Sequence, residues 1–305
     1  MSEYLLSTNR LTKEFKHHKA VNEVNLHIKK GAVYGFIGRN GAGKTTFMKM
    51  ISGLSAPTSG DICFFGYTGT DLKKVRNRIG CLIEEPGLYP NMNAYDNIKL
   101  KCLAKGLYKK EYVQELLETA GLQDTGNKKV KKFSLGMKQR LGIALALVGE
   151  PDLLVLDEPI NGLDPQGIAE VRETIQKLNA EHHMTLIISS HILGELSKLA
   201  TDYGIIHNGV LIQEVTAEEL RQQCQERIEV TLKNPKMALP VLDELGITRY
   251  NVVDKEHIHI YEHVHDSAHI NAALVNAGNI ISEIRIRNEE LENYYFELTG
   301  GIGND

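Results

Sequence analysis

A chain of 305 residues, 42% hydrophobic and 24% charged, has the composition of an ordinary globular protein and the length for one large domain plus a smaller one. Its formal net charge of -4 offers no overall basic footprint, which argues against nucleic acid as the main partner. No apolar run approaches the roughly 18 residues that cross a bilayer, MSEYLLSTNR lacks the basic start and apolar stretch of a signal peptide, and Cys63, Cys81, Cys102 and Cys224 form no CxxC pair, as expected of free thiols in a reducing cytoplasm.

In chain order, residues 4–36 pattern as strands, including the segment 24–28 and the apolar run Val33–Ile37. That run feeds directly into a glycine-rich loop, and residues 47–54 then read as a helix. Residues from about 85 to 150 are largely helical, with clear periods over 110–120 and 137–148. An α/β pattern resumes at residue 153, where the segments 153–156 and 186–189 are short apolar strands of the doubly wound kind. Near residue 216 the character changes. Residues 226–233 alternate, with Ile228, Val230 and Leu232 on one face, and a helix is expected over 235–245. Strands near 247–253 and 257–264, a helix over 267–277, a strand over 280–287 and a closing helix over 289–298 follow. The order βαββαβ predicts a small α+β domain of the ferredoxin-like kind. The expected division is therefore a main α/β domain over residues 1–215, with a helical subdomain at about 85–150, and an accessory domain over 216–305. Within the latter, His257, His259, His263 and His265 have strand-like spacing that invites a metal or pH-sensor reading. No carboxylate-histidine motif accompanies them, so a solvated strand face opposite Ile258, Ile260 and Val264 is preferred.

The glycine-rich loop fits G-x-x-x-x-G-K-[ST]: Gly38, Asn40, Gly41, Ala42, Gly43, Lys44 and Thr45, with Thr46 following. Between a strand and a helix, such a loop closes backbone N–H groups on phosphates, Lys44 reaches the β- and γ-phosphates, and Thr45 offers a hydroxyl to Mg²⁺. Asp157 and Glu158 end the strand at 153–156. Asp157 is placed to hold Mg²⁺ through water, and Glu158 to polarise an attacking water as general base. The stretch FSLGMKQR, residues 133–140, sets Ser134 and Gly136 at the start of another helix, where a hydroxyl, backbone N–H groups and the helix terminus can face phosphate. One chain already has its own cradle. The second is expected to serve a nucleotide held by another copy, which points to an ATP-driven dimer.

With these motifs in this order, residues 4–215 resemble the nucleotide-binding subunit of ATP-binding cassette (ABC) transporters. The resemblance implies a P-loop NTPase of ABC type, ATP and Mg²⁺ as cofactors, a separate integral-membrane permease and a second ATP-binding subunit, as in a homodimer. It implies a cytoplasmic protein peripheral on the inner face of the membrane, with no nucleic acid. By the same resemblance, Asn161 to Asp164 forms a loop at the dimer interface, His191 of Ser189-Ser190-His191 contacts the γ-phosphate, and Phe15 stacks on adenine. Two departures stand out. Leu135 and Met137 replace a glycine and the glutamine of the usual LSGGQ signature. Glu84 occupies the position where the family carries a Mg²⁺-contacting glutamine, so a carboxylate would stand beside the metal. An acidic residue there, and the stretches at 88–92 and 291–301, resemble the ATPases of lantibiotic immunity and bacitracin resistance. An exporter of another drug or ion is the first alternative reading. A non-transport ABC ATPase acting on ribosomes or chromosomes is the second, against which stand the single P-loop and the short span between Lys44 and Ser134.

Overall fold

The computed structural model describes residues 4–223 and 226–287, together with Tyr294 and Leu298. Cys224 and most of the expected closing helix lie outside the described residues. The chain divides into two compact units, Met1–Ala217 and Glu218–Asp305.

The first unit opens with β1 (Tyr4–Phe15), β2 (His18–Val24) and β3 (His27–Lys29), and then β4 (Val33–Ile37) runs through the glycine loop into α1 (Lys44–Ile51). Next come β5 (Ser59–Phe64), β6 (Tyr67–Thr68) and β7 (Ile79–Leu82), followed by α2 (Ala94–Ala104), α3 (Lys110–Thr119) and α4 (Leu135–Leu147). The unit continues through β8 (Leu153–Leu156), α5 (Pro165–His182), β9 (Thr185–Ser190), α6 (Leu193–Leu196), β10 (Asp202–His207) and β11 (Val210–Thr216), and α7 (Ala217–Gln223) starts at the junction.

Two sheets result. β2, β1, β5 and β6 form an antiparallel sheet in that order, with β3 paired to β1. The second has the order β11-β10-β4-β9-β8-β7 and is parallel except for its edge strand β11. β4, β8 and β9 are buried along their whole length, which is why β4, β8 and residues 186–188 of β9 do not alternate apolar with polar. α1 packs between the sheets, with the Phe36 and Phe47 rings 4.8 Å apart in a core shared with Leu11, Phe64 and Val155. Full burial of Phe47 stabilises the folded chain by about 1.5–3 kcal/mol. The parallel arrangement carries the carboxyl ends of β4, β7, β8 and β9 to one edge, where the loops bearing the phosphate-site motifs emerge.

Helix starts are set locally. Asn93, Ser134 and Asp164 each accept a hydrogen bond from a backbone N–H one turn on, at Asp96, Met137 and Gly167, and so cap α2, α4 and α5. Pro165 at the first position of α5 adds a pre-set φ. α1 starts at Lys44, ahead of the expected residue 47. Gly43 turns the chain at φ 107, and a Cβ there would come within 2.3 Å of the Ala20 carbonyl oxygen.

The second unit comprises β12 (Arg227–Leu232), α8 (Leu239–Glu244), β13 (Tyr250–Val252), β14 (His257–Ile260), α9 (Ser267–Asn276) and β15 (Ile281–Arg287). Its antiparallel sheet has the order β13-β14-β12-β15, so the βαββαβ order and the split pairing of a ferredoxin-like sheet are both present. Ile228, Val230, Leu232, Ile258 and Ile260 face Leu242, Ile270 and Leu274 in its core. His257 and His259 occupy the opposite face of β14. Among the described residues no His, Cys, Asp or Glu cluster could hold a metal, and His257 instead pairs with Asp254 at 2.8 Å.

Candidate active site

The loop after β4 and the ends of β8 and β9 build one connected network. The Lys44 ammonium is buried and donates to the carbonyl oxygens of Gly38 at 2.6 Å and Arg39 at 3.3 Å. Thr45 Oγ1 donates to Asp157 Oδ2 at 2.8 Å. The other Asp157 oxygen accepts from Ser189 Oγ at 2.6 Å, and the same Ser189 hydroxyl accepts the Glu158 N–H at 2.8 Å. Ser189 reaches both because β8 and β9 are in parallel register, with Leu156 opposite Ile188. This bridging role of Ser189 was not apparent from the local motif. It follows from strand pairing across the α5 crossover.

Glu158 sits at φ +48, a left-handed conformation uncommon outside glycine, which swings its side chain out of the strand line. His191 Nδ1 lies 2.8 Å from Glu158 Oε2, with the ring donating in the tautomer that carries the proton on Nδ1. Lys44 Nζ stands 3.1 Å from Glu158 Oε1 but off hydrogen-bond geometry, so this buried oxygen keeps an open acceptor position. A carboxylate held by a histidine on one oxygen and open on the other, beside a buried ammonium, can orient and deprotonate a water next to phosphate.

Lys44, Thr45, Asp157, Glu158 and His191 are thus brought together, with Gly38, Asn40, Gly41, Ala42 and Gly43 in the loop after β4 and Thr46 in the first turn of α1. The other expected residues are engaged elsewhere. Phe15, at the end of β1, is 52% exposed, with Lys13 Nζ lying over its ring at 5.2 Å from the centre. Glu84 follows β7 at φ +61 and gives its carboxylate to Lys49 of α1 at 2.6 Å. Ser134 Oγ accepts from Met137 N at 3.2 Å. Gly136 is buried against α5, where a Cβ would stand 3.2 Å from Gly167 Cα, so its small size serves helix packing as well as the turn. Asp164 Oδ1 accepts from Gly167 N at 3.1 Å.

The family model described as ABC transporter matches residues 21–161. The bacitracin transport ATP-binding protein BcrA of Bacillus licheniformis is 42% identical over 299 residues, covering 97% of this chain and 98% of the relative. The lantibiotic transport ATP-binding protein SrtF of Streptococcus pyogenes is 48% identical over 212 residues, covering 69% of this chain and 90% of the relative. Among solved structures, a dimeric ATP-binding cassette in a post-hydrolysis state with ADP and Pi superposes with a TM-score of 0.62 at 26% identity, covering 70% of this chain and 98% of that one. With the glycine loop, the Asp157-Glu158 strand end and His191 joined in one network, and a relative matched along nearly the whole chain, the chain belongs to the ABC transporter family, as an ATP-binding subunit that hydrolyses ATP.

Proposed function

We propose that this chain powers a peptide-antibiotic exporter, removing bacitracin- or lantibiotic-type peptides through a separate membrane permease, from the inner face of the membrane and as one of a pair of ATP-binding subunits. The observation that carries this reading is the similarity to a bacitracin transport subunit over 97% of the chain, beyond the matched cassette and through the second unit. The dimeric cassette with ADP and Pi supports the pairing.

The chemistry rests on the network at the ends of β4, β8 and β9. Phe15 offers its exposed ring to the adenine, and Lys44, with the loop N–H groups, binds the phosphates. Glu158 Oε1 accepts the proton of a water attacking the γ-phosphorus, while His191 holds Oε2. Thr45 Oγ1 and Asp157 Oδ2 are hard oxygens 2.8 Å apart, a sparse donor set that fits Mg²⁺, which takes one or two carboxylates and completes its shell with phosphates and water. When bound, Mg²⁺ would offset the phosphate charge. Glu84 would join this set only on leaving Lys49.

No described helix is long and apolar enough to cross a membrane, so the transport path is assigned to the permease. Its docking element is assigned to the groove between the segment after β7 and α2, where the exposed Leu100 and Tyr89 form part of the wall. The test has two arms. Glu158→Gln should cut ATP turnover by about 10²–10⁴-fold with ATP binding retained, measured by phosphate release and nucleotide titration. Deleting the chain should sensitise cells to bacitracin or a lantibiotic. Full turnover in the variant would remove the catalytic assignment, and unchanged sensitivity to both peptide classes would redirect the cargo to another drug or an ion.

A further inference from the structure

The groove of about 410 Å³ between α2, α4 and the segment after β7 is mostly apolar, with Leu54, Leu82, Pro86, Tyr89, Leu100 and Leu145 among its walls. Lys101 of α2 lines it as well, half-buried. Its ammonium makes no hydrogen bond or ion pair among the described residues. The adjacent Lys105 is differently placed, donating its ammonium to the Val148 carbonyl oxygen at 2.7 Å. Glu85 also lines the groove but is exposed and forms no ion pair with Lys101. The remaining titratable groups there are the Tyr89 phenol and the Cys81 thiol, the thiol held above its ordinary range by burial. Burial, and then the neighbouring Lys105 charge, push the Lys101 amine below its ordinary range, so this cation stands in an environment that disfavours it.

A half-buried cation without a partner has lost part of its hydration and gained no charge in return. Its complement is an anion that arrives with apolar surface around it. A free inorganic anion supplies the charge but leaves the walls wet, and a purely apolar helix covers the walls but buries Lys101 unpaired. We infer that the permease segment entering this groove carries an Asp or Glu side chain that pairs with Lys101, flanked by apolar residues that cover Leu54, Tyr89 and Leu100. The inference rests on the permease reading above and adds the chemistry of its docking element. The pair selects the matching permease, because a neutral or basic residue at that position leaves a buried charge unsatisfied.

Co-purification of the full chain with its co-expressed permease from membranes tests it. Lys101→Met, a near-isostere without charge, and Lys101→Glu should both weaken assembly about tenfold or more, with Lys101→Arg close to the parent. ATP turnover of the isolated chain should be unchanged in all three. A Glu→Lys or Asp→Lys change in the permease loop should restore assembly with Lys101→Glu. If Lys101→Met and Lys101→Glu assemble normally while Leu100→Glu does not, the groove docks the permease without a carboxylate and the inference is wrong. If Leu100→Glu also assembles normally, the groove is not the docking surface, and both the inference and that part of the proposed function fall.

Discussion

Ser189 is the residue on which the two carboxylates depend. Its hydroxyl spends its proton on Asp157 Oδ1 and a lone pair on the Glu158 N–H, in a position with no solvent access. Ser189→Ala would leave both partners unsatisfied, and stability should fall by about 1–3 kcal/mol. Because this contact fixes the backbone N–H of Glu158, the proposed general base, kcat should fall more than ATP affinity does. Urea unfolding and steady-state ATPase assays on the variant separate the two effects, and a variant with normal stability and kcat would show the bridge to be dispensable. Lys44, Thr45, Asp157 and Glu158 are legible in sequence because their spacing within a strand and loop dictates what they face. Ser189 is not legible in the same way, since its partners lie across a strand pair joined through an 18-residue helix. Glu84 shows the same limit: its position marks it, but its partner Lys49 sits on a helix met earlier in the chain.

Single elements divide along the same line. α4 announces itself through its start at Ser134 and its helical period, all local information, whereas α5 is not among the helices expected from sequence although its Asp164 cap and Pro165 are just as local. β10 and β11 do not announce themselves, because β10 is defined by its parallel pairing with β4, set by residues far earlier in the chain. In the second unit the alternation of β12 identifies its buried face but not what its polar face gathers. There Glu229 accepts from Arg227 and Arg285, and His259 Nε2 lies 3.6 Å away. Burial pushes the Glu229 carboxyl up, but hydrogen bonds from Arg285 and Arg227 outweigh it and hold it below the ordinary range. Burial, with the charge of Arg227, holds the His259 imidazole below its ordinary 6.5. As pH falls through 6.5 the unfolded chain takes up the His259 proton before the folded sheet does, so stability declines. The Glu229 contribution, present above its ordinary 4.5, is lost as pH falls further through its depressed folded value. Both steps have one sign. Hydrogen exchange of β12 and β14 amides should therefore show opening that becomes easier on acidification in two stages, and His259→Gln should remove the upper stage alone. An unchanged upper stage in that variant would assign it to another group.

At the scale of the whole molecule, contacts within the chain join Lys44, Thr45, Asp157, Glu158 and His191. The helix terminus at Ser134 and Gly136 is bound to its own α4 and to α5, with no hydrogen bond joining it to that network among the described residues. On the proposed reading this terminus covers the nucleotide of a second copy, so ATP should drive dimer formation once hydrolysis is blocked. Light scattering on Glu158→Gln with ATP and Mg²⁺ should report the dimer. The informative second change is Ser134→Asp. Aspartate caps a helix as well as serine does, so α4 and the melting temperature should be preserved. Its carboxylate would face the γ-phosphate, however, and like charges in a closed site repel. The double variant should bind ATP as a monomer with the affinity of Glu158→Gln and fail to dimerise. If it dimerises normally, the signature helix does not meet phosphate across the pair. A loss of ATP binding by the monomer as well would place Ser134 in the chain's own site instead, so the two outcomes tell a site shared between copies from one contained within a single chain.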